Sequence, residues 1–140
     1  MVSGVNSRMW AASSVENPST ILLVDDDPAL RQFVRRILTQ QGFHVIDAAD
    51  GAAALEISST YADRIHLVLT DVIMPKVNGL ILAERLLQER PSISVIYMSG
   101  YVEGSMLLAT RPESIVLLKP FTPGDLIKAV RGVLGTKEQQ

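Results

Sequence analysis

The stretch Ile21–Pro28, ILLVDDDP, places four apolar residues directly before three aspartates and a proline. A short run of branched aliphatic residues is typical of a buried strand, and a proline favours the first turn of a helix. The stretch therefore predicts a strand that ends in a cluster of like charges and leads into a helix. So much negative charge at a strand end needs an explanation beyond solubility.

Length and composition restrict the class of protein. The chain has 140 residues, of which 47% are hydrophobic, and a formal net charge of −2, as expected for one globular domain. The near balance of charge provides no large basic surface for nucleic acid or anionic lipid, and no apolar run is long enough to span a bilayer. The lack of cysteine excludes disulfides and cysteine-ligated zinc, and it fits a reducing compartment, so we expect a cytoplasmic protein.

The two ends of the chain differ from its centre. Residues 1–19 are rich in Ser and Asn and show no sustained periodicity, so we interpret them as a tail or linker. No apolar segment follows Arg8, which argues against a secretory signal. We predict one domain over residues 20–135, followed by a short tail over residues 136–140.

Strand-like and helix-like segments alternate through the predicted domain. The predicted strands are Ile21–Asp25, His44–Ala48, Ile65–Thr70, Val95–Met98 and Ile115–Leu118. The predicted helices are Leu30–Leu38, Ala52–Ser58, Leu80–Glu89, a short segment within Glu103–Glu113, and a last helix from Pro123 to Leu134. Strands that are apolar on both faces and alternate with helices predict an α/β fold, in which helices cover both faces of a parallel sheet.

Polar residues follow the ends of four predicted strands. They are Asp25, Asp26 and Asp27 after the first strand, Asp71 after the third, Ser99 after the fourth and Lys119 after the fifth. The carboxyl ends of parallel strands meet at one edge of a sheet, where ligands bind. We therefore expect these side chains to share one site.

The carboxylates at this edge need a counter-ion. Asp27 is explained by its place before the first helix, where it would act as an N-cap. Asp25, Asp26 and Asp71 then face the single ammonium group of Lys119. Two carboxylates about 4 Å apart repel by roughly 4 kcal/mol at an effective dielectric near 20, so the cluster needs a cation or raised pKa values. Oxygen ligands favour Mg²⁺, which keeps waters that a phosphoryl group can replace.

Four segments resemble, in order and spacing, the receiver domains of two-component response regulators. They are ILLVDDDP, LVLTDVIMP, VIYMSGY and VLLKPF. The resemblance covers Thr20–Leu134 and implies the flavodoxin-like receiver fold, a doubly wound sheet of five parallel strands in the order 2-1-3-4-5. It also implies a phosphoacceptor in a phosphorelay, and no enzyme activity beyond self-dephosphorylation. The chain would be a stand-alone regulator or the receiver portion of a hybrid sensor histidine kinase.

The resemblance assigns the acidic residues to metal binding and phosphoryl transfer. It implies that Asp71 is the phosphoacceptor, which attacks the phosphoryl group of a phosphohistidine. Asp26, Asp71 and the backbone carbonyl of Ile73 would bind Mg²⁺ directly, and Asp25 would act through water. A carboxylate suits this reaction because phosphoryl transfer depends on positioning and charge neutralisation more than on a strong nucleophile.

The other motif residues are implied to hold the phosphoryl group. Ser99 would donate a hydrogen bond to a phosphoryl oxygen, and Lys119 would pair with the phosphate as a point charge. The Lys-Pro pair suggests a cis peptide bond before Pro120 that aims the lysine. Pro75 and Gly79 would shape the loop below the phosphoacceptor.

One position departs from the family pattern. Many receivers carry an aromatic residue three positions before the lysine as a switch, and Val116 stands there in this chain. Tyr101 is the aromatic residue nearest the site, and it would either report phosphorylation or cover the site. Our hypothesis is that Ile73 and Tyr101 flank the acyl phosphate and obstruct the attacking water.

Two other classes match part of the pattern. A phosphohydrolase of the haloacid dehalogenase type also places Asp, Ser and Lys after successive strands, but DDDPA lacks the last residue of its Asp-x-Asp-x-Thr/Val motif. A binding module that is never phosphorylated would not need the complete acidic set. His44 and His66 lie within or at the start of strands, away from the acidic edge, so structural roles are favoured for both.

The resemblance also implies partners. A sensor histidine kinase or a histidine phosphotransfer protein would donate the phosphoryl group. The face formed by the fourth helix, the fifth strand and the fifth helix would carry the signal, and phosphorylation could drive formation of a homodimer. Neither nucleic acid nor a membrane is an expected partner, because the composition provides no surface for them.

Overall fold

The computed structural model of the chain describes residues 18–139. The strands of this part are β1 (Thr20–Val24), β2 (His44–Ala48), β3 (Leu67–Asp71), β4 (Ser94–Ser99) and β5 (Val116–Leu118). The helices are α1 (Pro28–Gln40), α2 (Gly51–Thr60), α3 (Gly79–Glu89), α4 (Tyr101–Thr110) and α5 (Pro123–Gln139). The interpretation of the first residues as a tail falls mostly outside the described part.

The strands form one parallel sheet in the order β2-β1-β3-β4-β5. This is the predicted 2-1-3-4-5 order, so the predicted fold is confirmed. The register places Val24 beside Thr70, Asp71 beside Met98 and Ser99 beside Leu118. The carboxyl ends of β1, β3, β4 and β5 therefore meet at one edge.

Alternating side chains of β1 face two different hydrophobic cores. Ile21 and Leu23 of β1 face the core that includes α1 and α5. Leu22 and Val24 face the opposite core, which includes α2 and α3. All four are fully buried, and burial of each such side chain contributes about 1.5–3 kcal/mol. Both faces of the sheet are thus packed against helices, and the strand ends provide a rigid support for the residues that follow them.

Local signals define two of the helix starts. The side chain of Asp27 accepts hydrogen bonds from the backbone N–H groups of Ala29 and Leu30, which confirms the predicted N-cap of α1. At the start of α5, the Thr122 hydroxyl and the Asp125 carboxylate each accept a hydrogen bond from the other residue's backbone N–H. The two bonds form the predicted capping box, and the bond from the Thr122 N–H to the carboxylate holds the pKa of Asp125 below its usual value.

The fourth and fifth helices are longer than the sequence predicts. Helix α4 begins at Tyr101 and has 10 residues. It contains Gly104, which lies so close to the sheet that a Cβ atom there would be 2.7 Å from a methyl group of Leu118. Helix α5 continues through Gly135 to Gln139, because one glycine costs a helix only about 1 kcal/mol and good helix formers follow it.

No helix within residues 18–139 has both the length and the apolar character that a membrane span requires.

Candidate functional site

Three aspartates come together at the carboxyl edge of the sheet. Asp25, Asp26 and Asp71 each offer a carboxylate oxygen, and these oxygens all lie within 4.8 Å of one another. Asp25 is fully buried, Asp71 is partly buried and Asp26 is exposed. The sequence predicted this convergence because the carboxyl ends of parallel strands lie at one edge of the sheet, and the structure places β1 beside β3 there. An all-oxygen set of this kind fits Mg²⁺, and the exposed member leaves a route for an ion and its waters.

Asp25 is fixed on several sides. Its backbone N–H donates to the carbonyl of Ala48 at 3.2 Å, and its carboxylate accepts the backbone N–H of Asp27 at 2.8 Å. Its own carbonyl accepts a hydrogen bond from a guanidinium N–H of Arg31 at 2.7 Å. The sequence did not predict a role for Arg31, because every residue has a backbone carbonyl and a contact with one has no characteristic sequence pattern.

Lys119 provides the positive charge of the cluster. Its Nζ lies 3.4 Å from a carboxylate oxygen of Asp25 and 3.4 Å from one of Asp71. Its backbone N–H donates to the carbonyl of Ser99 at 2.8 Å, and its peptide bond to Pro120 is cis. One ammonium group thus balances part of the charge of three carboxylates.

Burial raises the pKa of Asp71 above its ordinary value of 3.8. The ammonium of Lys119 opposes this shift, whereas the carboxylates of Asp25 and Asp26 add to it. In the metal-free protein, the charged form of Asp71 is therefore less favoured, relative to its protonated form, than it is in water. A bound cation would favour the charged form.

The free energy of unfolding of the metal-free protein is expected to fall as the pH rises through the titration of Asp71. Because folding raises this pKa, the folded state binds more protons than the unfolded state between the two pKa values. The fall begins near the unfolded pKa of about 4 and ends at the raised folded pKa. Urea denaturation in a chelator at stepwise pH measures it, and Asp71→Asn should remove this contribution.

The same denaturation experiment tests the metal. At neutral pH, Mg²⁺ at ten times its Kd should raise the free energy of unfolding by about 1.4 kcal/mol, because only the folded state brings the three carboxylates together. Potassium chloride of equal ionic strength is the control for screening. A gain in KCl equal to the gain in Mg²⁺ would show that the cluster is not a metal site.

Ser99 lies at the end of β4 with its side chain inside the molecule. The residue is only 2% exposed, and its hydroxyl is the one buried side-chain polar group of the described residues that has no hydrogen-bond partner. Such a group costs about 1–3 kcal/mol until an acceptor reaches it. An oxygen-rich group bound at the carboxyl edge would supply an acceptor.

The loop after β3 is held against the start of α3. The backbone N–H of Gly79 donates to the carbonyl of Val72 at 2.8 Å. A Cβ atom at Gly79 would collide with the carbonyl oxygen of Asp71, so only glycine allows this approach. The predicted role of this glycine in shaping the loop has a clear physical basis.

Two predicted site residues are largely exposed. Ile73, two residues after Asp71, is 59% exposed, and Tyr101, at the first position of α4, is 73% exposed. The two histidines lie near the opposite edge: His66 accepts the backbone N–H of Thr20 through Nδ1. Both histidines therefore lie away from the acidic site.

Comparison with known families identifies the chain. A family model described as the response regulator receiver domain matches residues 21–131. The chain belongs to this family. The chain is thus a receiver domain of two-component signalling, and the resemblance noted from the four sequence motifs is confirmed. The dehalogenase-type phosphohydrolase is set aside.

Individual relatives agree with this assignment. The chain is 32% identical over 135 residues to the sensor kinase CckA of Brucella abortus, in a match that covers 95% of this chain and 14% of the kinase. It is 32% identical over 120 residues to the response regulator receiver protein CpdR of the same organism, covering 81% of this chain and 95% of CpdR. The chain therefore spans a small part of one relative and nearly all of the other.

Solved structures show the same fold. The crystal structure of a response regulator receiver protein from Sinorhizobium medicae superposes with a TM-score of 0.76 at 32% identity. The match covers 87% of this chain and 98% of that chain.

Proposed function

We propose that this receiver domain accepts a phosphoryl group on Asp71, from a phosphohistidine of a sensor kinase or a histidine phosphotransfer protein, in a reaction that requires Mg²⁺. The observation that carries this proposal is the convergence of three carboxylates within 4.8 Å, with the ammonium of Lys119 against two of them. The similarity to a sensor kinase and to a receiver protein supports a histidine kinase as the donor.

The chemistry is transfer between two nucleophiles. A carboxylate oxygen of Asp71 attacks the phosphorus, the P–N bond of the phosphohistidine breaks, and the electron pair leaves on the imidazole nitrogen, which then takes up a proton. Asp25, Asp26 and Asp71 would hold Mg²⁺, together with the carbonyl of Ile73. When bound, the ion neutralises charge on the phosphoryl oxygens. We propose no enzyme activity beyond hydrolysis of the chain's own acyl phosphate.

Lys119 and Ser99 would stabilise the product. The ammonium of Lys119 already lies 3.4 Å from the Asp71 carboxylate, so it can pair with an added phosphoryl oxygen after a small shift. The unpartnered hydroxyl of Ser99 would gain its missing acceptor from the same group. Both interactions strengthen only once the acid is phosphorylated, and they therefore favour the modified conformation.

The signal would leave the site through α4, β5 and α5. Ser99 connects to this face because its Cβ lies 3.7 Å from the position that a Cβ of Gly104 would occupy, and because its carbonyl accepts the N–H of Lys119 at 2.8 Å. Val116 stands beside Tyr97 in the register of the two strands. Because valine replaces the usual aromatic residue, we propose that the close packing of α4 on the sheet transmits the movement of Ser99. We also propose that the face formed by α4, β5 and α5 mediates a phosphorylation-driven homodimer.

The lifetime of the acyl phosphate is expected to depend on Ile73 and Tyr101. Both side chains are exposed, Ile73 two residues after Asp71 and Tyr101 at the first position of α4, and apolar groups at these positions would obstruct the attacking water. Ile73→Asn combined with Tyr101→Glu should raise the rate of hydrolysis several-fold in Mg²⁺. Met106→Glu is the control, because Met106 is 66% exposed on α4 but lies beyond its first turn. An unchanged lifetime in the double variant would rule out shielding.

Mass spectrometry tests the proposed function directly. The intact protein is incubated with acetyl phosphate and Mg²⁺, and the expected result is one phosphoryl group per chain, mapped to Asp71. The same reaction in chelator should give no product. Failure to modify the wild-type chain, or steady turnover of a phosphate ester without a modified intermediate, would overturn the proposal. Once modification of Asp71 is established, a phosphotransfer screen against histidine kinases would identify the donor.

A further inference from the structure

The end of β1 carries two of the three acidic residues, and a network outside the motifs holds it in place. Asp25 is the first residue after the strand and is fully buried. Its carbonyl has left the hydrogen-bond ladder of the sheet, and a buried carbonyl without a partner costs about 1–3 kcal/mol. Arg31, one turn into α1, supplies the partner with a 2.7 Å hydrogen bond from Nη1.

Arg31 is itself held by a neighbouring strand. Its Nε donates to Oδ2 of Asp47 on β2 at 3.1 Å, and the side chains of Arg31 and Asp47 are only 18% and 27% exposed. The guanidinium plane fixes the angle between the two bonds, so the group acts as a rigid brace between β2 and the end of β1. A lysine has a single nitrogen on a flexible stem, so it cannot reproduce two donors that are held at a fixed distance and angle from each other.

A second arginine on the same helix provides a natural comparison. Arg35 donates from Nη1 to the other oxygen of Asp47, also at 3.1 Å, and its side chain is 54% exposed. The two arginines therefore share one carboxylate and have the same charge. Only Arg31 also has a hydrogen bond to the backbone of the acidic cluster.

The brace has a consequence for metal binding. Mg²⁺ requires nearly ideal octahedral geometry with ligands at about 2.0–2.1 Å, so small displacements of a ligand reduce its affinity. Arg31 holds the backbone between the carboxylate of Asp25 and that of Asp26, which follows it in the chain. Residues that orient metal ligands in this way typically contribute about 10–100-fold to metal affinity.

We propose that Arg31 is a positioning residue for the Mg²⁺ site, which holds the end of β1 through the carbonyl of Asp25 and is oriented by Asp47. The proposal rests on the proposed function, because it requires that the acidic cluster binds Mg²⁺. Since its charge is paired with Asp47, Arg31 acts on the geometry of the ligands and not as a second phosphate-binding cation.

The test is a Mg²⁺ titration of the folded chain by isothermal calorimetry. Arg31→Gln should weaken Mg²⁺ binding about tenfold, and Arg31→Lys should not restore it. The matched control, Arg35→Gln, should change the affinity less than about twofold, because its partner is Asp47 alone. Asp47→Asn should fall between these two, since its amide oxygen can still accept the Nε–H of Arg31.

A second measurement separates positioning from general stability. If Arg31 only stabilised the fold, Arg31→Gln would lower the free energy of unfolding equally in chelator and in Mg²⁺. A positioning role predicts a smaller gain from Mg²⁺ in the variant than in the wild type. Equal gains, or equal weakening by Arg31→Gln and Arg35→Gln, would overturn the inference. Absence of Mg²⁺ binding in the wild type would instead overturn the proposed function.

Discussion

Replacing Asp71 with asparagine is expected to reduce phosphoryl incorporation to background. The amide keeps the size and shape of the side chain but has no anionic oxygen to attack phosphorus, and the acyl phosphate cannot form. No other carboxylate in the cluster is placed equally well, because Asp25 is fully buried and hydrogen bonded, and Asp26 lies exposed at the rim. The measurement is intact-protein mass spectrometry after reaction with acetyl phosphate and Mg²⁺.

Asp27→Asn is the matched control for this experiment. It removes the same charge from the same loop, but Asp27 serves as the N-cap of α1, and asparagine caps a helix about as well as aspartate. The control should therefore incorporate the phosphoryl group like the wild type. A phosphoryl group that persists in Asp71→Asn would move the assignment to another acid.

The convergence of the acidic residues could be predicted from the sequence because it follows from topology. Apolar runs such as Ile21–Val24 specify buried strands, and the carboxyl ends of neighbouring parallel strands must meet. Asp25 and Asp71 each follow or end such a strand, so their meeting needed no knowledge of side-chain conformation. The strand order came from the resemblance of the four motifs to a known family, and not from the alternation alone.

Other features depend on contacts that a linear pattern does not show. Arg31 and Asp47 are 16 positions apart, and the carbonyl of Asp25 is a backbone group that any residue would have. The length of α4 was also missed, since Gly104 usually weakens a helix, whereas here the glycine allows the helix to pack closely on β5. The effect of Gly104 on stability therefore depends on the strand that it packs against and not on its helix propensity alone.

Gly79→Ala is expected to lower the free energy of unfolding by on the order of 2–3 kcal/mol. The added Cβ would collide with the carbonyl oxygen of Asp71 and lie 3.0 Å from the Cα of Val72. Both are backbone atoms next to the acidic cluster, so no flexible side chain can move aside to relieve the contact. Alanine's better helix propensity, at most about 1 kcal/mol, is too small to offset this overlap. Urea denaturation in chelator measures the change.

Gly132→Ala provides the opposite expectation in the same chain. Gly132 is exposed on α5, and apart from the adjacent backbone of its own helix no atom of the described residues lies within 4 Å of the position of its missing Cβ. Alanine should therefore stabilise the protein by up to about 1 kcal/mol. Gly79→Ala should also weaken Mg²⁺ binding, because the end of β3 or the start of α3 must move, and Asp71 moves with it. Equal stability of Gly79→Ala and the wild type would show that the loop after β3 adapts freely, and that the close approach of α3 does not hold the phosphoacceptor in place.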